Sequence, residues 1–187
     1  AVDASRSVAN FRFFAEFSKD FHEQKFLMED ATNHVIFKPV GIAGLITPWN
    51  LPLYLLSWKI APAIVMGNTV VAKPSELTPL TANLLAEVFD EVGLPAGVVN
   101  IVHGFGHETG QAIVSHPHVN LISFTGGTIT GKKVAETAAP MFKKLSLELG
   151  GKNATIVLDD VNLDSAIPEV ARSGFLNQGQ VCLCGSR

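Results

Sequence analysis

From residue 42 onward the chain alternates short, uninterrupted apolar runs with longer amphipathic ones, and this alternation restricts its fold more than any other feature. Residues 42–47, 69–72, 98–102, 121–124, 145–147 and 154–158 read as strands. None of them alternates apolar with polar positions, so each is expected to be covered on both faces, as strands of parallel sheets are. Between them, residues 51–66, 81–92, 108–114, 128–138 and 163–176 read as helices. The first is expected to break near Pro62, the second is closed by Gly93, and the fourth is stopped by Pro140. Strand–helix alternation with short connections predicts a doubly wound α/β fold with a mostly parallel sheet. Ahead of it, residues 5 to about 24 read as a helix whose stripe of Val8, Phe11, Phe14, Phe17 and Phe21 serves packing. Residues 35–40 read as a further extended run, hinged at Gly41.

Composition closes off several alternatives. With 47% hydrophobic and 17% charged residues the chain is no disordered segment. Fourteen Lys+Arg and a net charge of −3 exclude a nucleic-acid reader that works by bulk charge. The longest apolar stretch, 51–66, is interrupted by Lys59 and Pro62 and falls short of the ~18 residues of a membrane helix. Two cysteines, Cys182 and Cys184, form no disulfide framework, which predicts a reducing, cytoplasmic setting. The histidines, His116-Pro117-His118 included, have neither the spacing nor the second cluster of a metal site, and none is expected. The missing initial Met and the abrupt stop at Arg187 predict a piece of a longer protein.

In doubly wound sheets ligands bind outside the carboxyl ends of the strands. The loops there are chemically unusual: Thr47-Pro48-Trp49-Asn50, Lys73-Pro74-Ser75-Glu76, Gly104-Phe105-Gly106, and Thr125-Gly126-Gly127-Thr128 before a helix. Two glycine loops on successive strand ends suit a dinucleotide phosphate, although glycines also simply make turns. Lys73 and Glu76 read either as grips on a ribose or as a helix-start charge pair. A carboxylate beside the 2′-hydroxyl would favour NAD over NADP.

The last forty residues carry a second signal. Glu148, in Leu147-Glu148-Leu149-Gly150-Gly151-Lys152, is expected to be buried, which would raise its pKa and suit a general base; pairing with a nearby Lys is the alternative. Gln178-Gly179-Gln180-Val181-Cys182 sets a cysteine in a glycine-containing loop past a helix end. A cysteine there is either core filler or, with a base and an amide at hand, a thiol nucleophile.

Taken together, Thr47-Pro48-Trp49-Asn50, the Glu148 segment and the segment 175–182, supported by Phe124-Thr125-Gly126 and Lys73–Glu76, resemble the NAD(P)-dependent aldehyde dehydrogenase superfamily over nearly the whole chain. Residues 51–59 and 180–184 look most like its 2-aminomuconic and 2-hydroxymuconic semialdehyde dehydrogenases. The resemblance implies Cys182 as nucleophile, Glu148 as base, Asn50 as the side-chain half of an oxyanion hole, and Lys59 as a lysine associated with proton relay. It implies NAD contacts at Ile46, Thr47, Pro48, Trp49, Lys73, Ser75, Glu76, Gly106, Phe124, Gly126, Gly127 and Leu149. It divides the chain into a Rossmann-like cofactor-binding domain with its N-terminal helix (1–147, partial) and the start of an α/β catalytic domain (148–187). Gly127 stands where the family commonly has Ser, and Thr130 where many members have an apolar residue; both bear on cofactor affinity.

The implied reaction is oxidation of an aldehyde to the acid through a cysteine thiohemiacetal and thioester. CoA-acylating or phosphorylating chemistry is the alternative, and a truncated nucleotide-binding fragment without catalysis is another. The isolated piece is expected to be inactive. A small-molecule aldehyde is the expected partner, with neither nucleic acid nor membrane, and the full-length protein is expected to be a homodimer or homotetramer.

Overall fold

The computed structural model describes residues 2–187. Helix α1 (Val2–Lys19) leads into an antiparallel hairpin of β1 (Gln24–Leu27) and β2 (Thr32–Val35). There follow β3 (Ile42–Ile46), α2 (Pro52–Val65), β4 (Thr69–Lys73), α3 (Leu80–Glu91) and β5 (Val99–Ile101). A π-helical turn, Gly106–Gly110, runs into α4 (Gln111–Ser115), then β6 (Val119–Thr125), α5 (Thr128–Ala138), β7 (Lys144–Glu148) and α6 (Leu163–Phe175). Strands β5-β4-β3-β6-β7 form one five-stranded sheet, parallel at every pairing. The doubly wound parallel sheet is therefore as the sequence predicts.

The order reverses at β3, which has β4 on one side and β6 on the other. Register levels the strand ends: Ile46 pairs with Lys73 and with Phe124, and Phe124 with Leu147. Four residues in one row thus hand the chain to the four loops around the switch point, where a ligand crevice belongs.

Alternating side chains of β3 feed two cores. Ala43 and Leu45 pack with Leu56 and Ile60 of α2, Val70, Ala72 and Ala82. Ile46 packs on the other face with Ile113, Val114, Ile122, Phe124, Val134 and Ala138. Full burial of a Leu or Ile, as at Leu56, Ile60 and Ile122, contributes about 1.5–3 kcal/mol each. Gly44 belongs to this second face: a Cβ there would lie 2.6 Å from Ile113 Cγ2, so only glycine lets α4 approach the sheet.

Several expectations need correction. Helix α1 ends at Lys19, and its inner face is not the predicted phenylalanine stripe. Ser7 and Asn10 are buried, whereas Val8 and Phe17 are about half exposed (49% and 47%). Asn10 Nδ2 donates to Ser57 Oγ (2.9 Å) and to the Tyr54 carbonyl (3.1 Å), so a polar seam docks α1 on α2. Phe11 packs edge-on to Phe89 of α3 and Phe14 edge-on to Trp58 of α2, while Phe17 and Phe21 pack with one another. The hairpin 24–35 escaped detection because all of its strand residues are exposed and carry no apolar periodicity. Of the extended run 35–40, Val35 closes β2 and residues 36–40 join no strand, with Val40 held by the Asn68 and Asn120 side chains.

Pro62 does not break α2, since it removes one backbone donor while Leu56, Ile60 and Ala61 stay buried alongside it. Residues 154–158 form no strand: the backbone there makes an isolated bridge, Asn153 to Gly185, and the Thr155 N–H donates to the Arg187 carbonyl. Helix α6 is capped by Asn162, whose side chain accepts from the Ser165 N–H at 3.2 Å.

Candidate active site

The loop after β3 is drawn across the sheet end to the cysteine segment. Thr47 N–H continues the ladder to the Lys73 carbonyl (3.1 Å), and Thr47 is buried. Three residues on, Asn50 Nδ2 donates to the Gln180 carbonyl (2.8 Å), and Asn177 Nδ2 donates to the Asn50 carbonyl (3.1 Å). Two hydrogen bonds thus clasp residues 127 and 130 positions apart in sequence. The facing loop is tightly wound: Asn177, Gln178 and Gly179 all take left-handed φ values of 50°, 61° and 73°. A non-glycine residue holds that conformation only under constraint from its surroundings, and the clasp to Asn50 is such a constraint.

Cys182 follows, exposed to solvent, while Cys184 is buried with its thiol toward the Leu176 carbonyl (3.8 Å). The two cysteines are thereby distinguished: an accessible thiol at 182 and a packed one at 184. Asn153 fixes the backbone between them, donating from Nδ2 to the carbonyls of Cys182 (2.6 Å) and Cys184 (3.3 Å). Asn153 and Asn177 were both missed as positioning residues. Each stood inside or beside a recognised segment, but neither has a local sequence pattern that announces a distant carbonyl partner.

Glu148 ends β7 at the sheet edge and is exposed, which corrects the expectation of a buried carboxyl. Strand β7 alternates exposed and half-buried positions, and Glu148 falls on the exposed phase. Its backbone carbonyl accepts from Gly126 N–H (3.0 Å), tying the glycine loop to the glutamate strand. Lys59, on α2, is buried, and its Nζ donates to Ser123 Oγ of β6 (2.7 Å). Burial pushes its pKa down to about 8, against the opposing pull of the Glu148 carboxylate. Lys59 therefore senses the Glu148 charge. Among the described residues, no hydrogen bond or ion pair joins Glu148 to Cys182.

The opposite side of the switch point suits an anion with a polar appendage. Lys73 is buried, with Nζ donating to the Pro74 carbonyl (2.8 Å) and to Glu76 Oε2 (3.2 Å). A hydrogen bond from its own backbone holds the exposed Glu76 carboxyl below its ordinary pKa, and the charges of Lys73 and His107 add to the effect. The charge pair foreseen as the plainer alternative does form, and Glu76 remains open to solvent. Ser75 Oγ is turned back to accept from Leu77 N–H (3.3 Å).

Helix α5 opens at Gly127 with no side-chain cap, leaving first-turn N–H groups for an anion. Gly126 lies over the Phe124 ring, where a Cβ would stand 2.5 Å from Cζ. Leu149 packs against Gly131 of α5, so it reaches the same loop. Ile46 and Pro48 flank buried Thr47, whose hydroxyl has no partner, and Trp49 is exposed beside them. Gly106 opens the π-helical turn on the neighbouring loop, whose His107 charge acts on Glu76 and whose Gly110 lies near the Lys73 side chain.

Residues 1–187 match the profile of the aldehyde dehydrogenase family. The chain belongs to that family. A 2-aminomuconic semialdehyde dehydrogenase of Homo sapiens is 55% identical over 188 residues, which take in all of this chain and 39% of that protein. A 2-hydroxymuconic semialdehyde dehydrogenase of Pseudomonas sp. (strain CF600) is 50% identical over 97% of this chain and 39% of its own length. Among solved structures, the NAD+ complex of an aldehyde dehydrogenase from Bacillus cereus superposes with a TM-score of 0.96 at 43% identity. That match covers 99% of this chain and 38% of the other. The chain thus spans about two fifths of the length of the relatives it matches.

Proposed function

We propose that the whole protein oxidises a muconic-type semialdehyde to its carboxylic acid, with NAD+ as the oxidant and Cys182 as the nucleophile. The observation that carries this reading is the clasp between Asn50 and the 177–182 loop. It brings an amide donor to the segment that presents an exposed thiol, on a fold whose relatives are named for this oxidation.

The residues present suit the dinucleotide. Gly126, Gly127 and the uncapped start of α5 would hold the pyrophosphate. Lys73 and Glu76 would hold the adenosine ribose, with Ile46, Thr47, Pro48, Trp49, Ser75, Gly106, Phe124 and Leu149 around it. The unpartnered, buried Thr47 hydroxyl is the observation that asks for a polar ligand here. Gly127 provides a backbone amide without a hydroxyl. When bound, NAD+ supplies acceptance of the aldehyde hydride.

The protein's own groups account for the rest. The Cys182 thiolate attacks the carbonyl carbon and gives a thiohemiacetal. Its oxyanion is held by the Asn50 amide, a type of donor whose removal typically costs about 3 kcal/mol of transition-state stabilisation. After oxidation to the thioester, Glu148, which is open to solvent, takes a proton from water as the water attacks, and the acid leaves while the Cys182 thiol is restored. Lys59, with a pKa of about 8 and its link to the Glu148 charge, would take that proton onward only in its neutral form, above about pH 8.

Residues 1–147 form the cofactor-binding part and 148–187 the start of the catalytic part in this reading. The protein works in the cytoplasm as a homodimer or homotetramer, on a small-molecule substrate and without nucleic acid. No helix among the described residues is long and apolar enough to cross a membrane. The test is NADH production by the whole protein with a panel of semialdehydes. Acid product and no activity in Cys182→Ser support the assignment; retained turnover in that variant, or a product that requires CoA, rejects it.

A further inference from the structure

We propose that Asp3 is a positioning residue for this reaction: its carboxylate caps the first turn of α2 and so fixes where the Asn50 amide stands. The inference rests on the reading of Asn50 as the oxyanion donor.

Helix α2 begins without a cap of its own. Its N-cap residue, Leu51, has φ −139° and a side chain that accepts nothing, and Pro52 occupies the first helical position. The N–H groups of Leu53 and Tyr54 would therefore be orphans. Both are satisfied from another helix: Leu53 N–H donates to Asp3 Oδ2 (2.9 Å) and Tyr54 N–H to Asp3 Oδ1 (3.0 Å). One carboxylate takes both donors, at the end of the helix where negative charge is favoured.

The contact is reinforced on either side. Arg6 of α1 lies over the Tyr54 ring (5.4 Å to its centroid), and Asn10 grips the Tyr54 carbonyl and Ser57. Asn50 lies one residue before the N-cap, Leu51, of the capped turn. Its side chain has one partner, the Gln180 carbonyl, and its Oδ1 is buried without any. Where the amide stands is thus set from two directions: by the cysteine loop ahead of it and by the first turn of α2 behind it. Only the second depends on Asp3.

The test uses the whole protein, NAD-coupled turnover, thermal melting and a double-mutant cycle with Asn50. Asp3→Ala is expected to lower kcat about tenfold, a fraction of the ~10²–10³ for losing an oxyanion donor outright, with KM for NAD within about twofold. In an Asn50→Ala background the same substitution is expected to lower the melting temperature but not kcat. Leu51→Ser supplies a local acceptor for the same N–H groups and is expected to restore kcat to the Asp3→Ala protein. Asp3→Asn keeps one carbonyl acceptor, gives an intermediate kcat, and carries the cycle if Asp3→Ala does not fold.

An equal fold-loss of kcat in both backgrounds overturns the inference, as does an unchanged kcat in an Asp3 variant whose melting temperature has fallen. Absence of turnover in the unsubstituted protein is a different result: it refutes the reading of the reaction, and the positioning role with it.

Discussion

Lys59 offers a quantitative test of the site's electrostatics. Its amine is 7% exposed as a residue, has one hydrogen bond, to Ser123 Oγ, and titrates near 8 instead of 10.5. That difference corresponds to roughly 3 kcal/mol of penalty on the charged form. Below pH 8 the amine is charged in folded and unfolded chains alike, and the penalty is present in full. Between 8 and 10.5 the folded protein has released the proton while the unfolded chain still holds it, so stability rises with pH across that window. Above 10.5 both are neutral and the penalty is gone.

Lys59→Met removes this dependence and leaves Ser123 Oγ without its donor, a pH-independent loss of about 1 kcal/mol. Denaturant unfolding of both proteins along a pH series should show the native protein gaining on the variant by up to about 3 kcal/mol between pH 8 and 10.5. The Glu148 carboxylate favours the charged lysine, so Glu148→Gln should move the Lys59 midpoint below 8, readable from its side-chain carbon resonance. A stability difference flat through that window, or a midpoint that rises in Glu148→Gln, would refute the reasoning.

Other perturbations reach the remaining parts of the site. In the whole protein Glu148→Gln is expected to stall hydrolysis, so rapid mixing should show a burst of NADH followed by slow turnover; a slowed burst with no steady-state defect would contradict the base assignment. Gly126→Ala drives a methyl into the Phe124 ring. It is expected to destabilise the fold by about 1–3 kcal/mol and to weaken NAD binding, as calorimetry and denaturant melts would report.

The parallel sheet was readable because its strands are buried on both faces and so stand out as unbroken apolar runs; Thr128–Ala138 appears in the structure with the bounds the sequence suggested. The same logic failed at residues 154–158, where an apolar run pairs with no strand among the described residues, and at the hairpin 24–35, where paired strands have no apolar run. Helix α1 misled for a related reason: periodicity finds apolar faces, and this helix docks through Asp3, Ser7 and Asn10.

At the site, Asn50, Glu148 and Cys182 were legible as residue types in recognisable segments. Their mutual arrangement was not. It depends on Asn153 and Asn177 reaching backbone carbonyls far along the chain, and a carbonyl carries no sequence identity. The exposure of Glu148 was equally hidden, because it follows from β7 lying at the sheet edge.

The Gln180 carbonyl does more than tether the loop. A carbonyl oxygen can only accept, so it tells the two ends of the Asn50 amide apart and turns the nitrogen, never the oxygen, toward the cysteine segment. An amide nitrogen carries two hydrogens, and one suffices for the tether. The other stays on the same atom, so one N–H sets the polarity of the group and, in the proposed reaction, the second would meet the negative charge. An aspartate of the same shape would present oxygen to oxygen at that junction, which is why shape alone could not replace the asparagine.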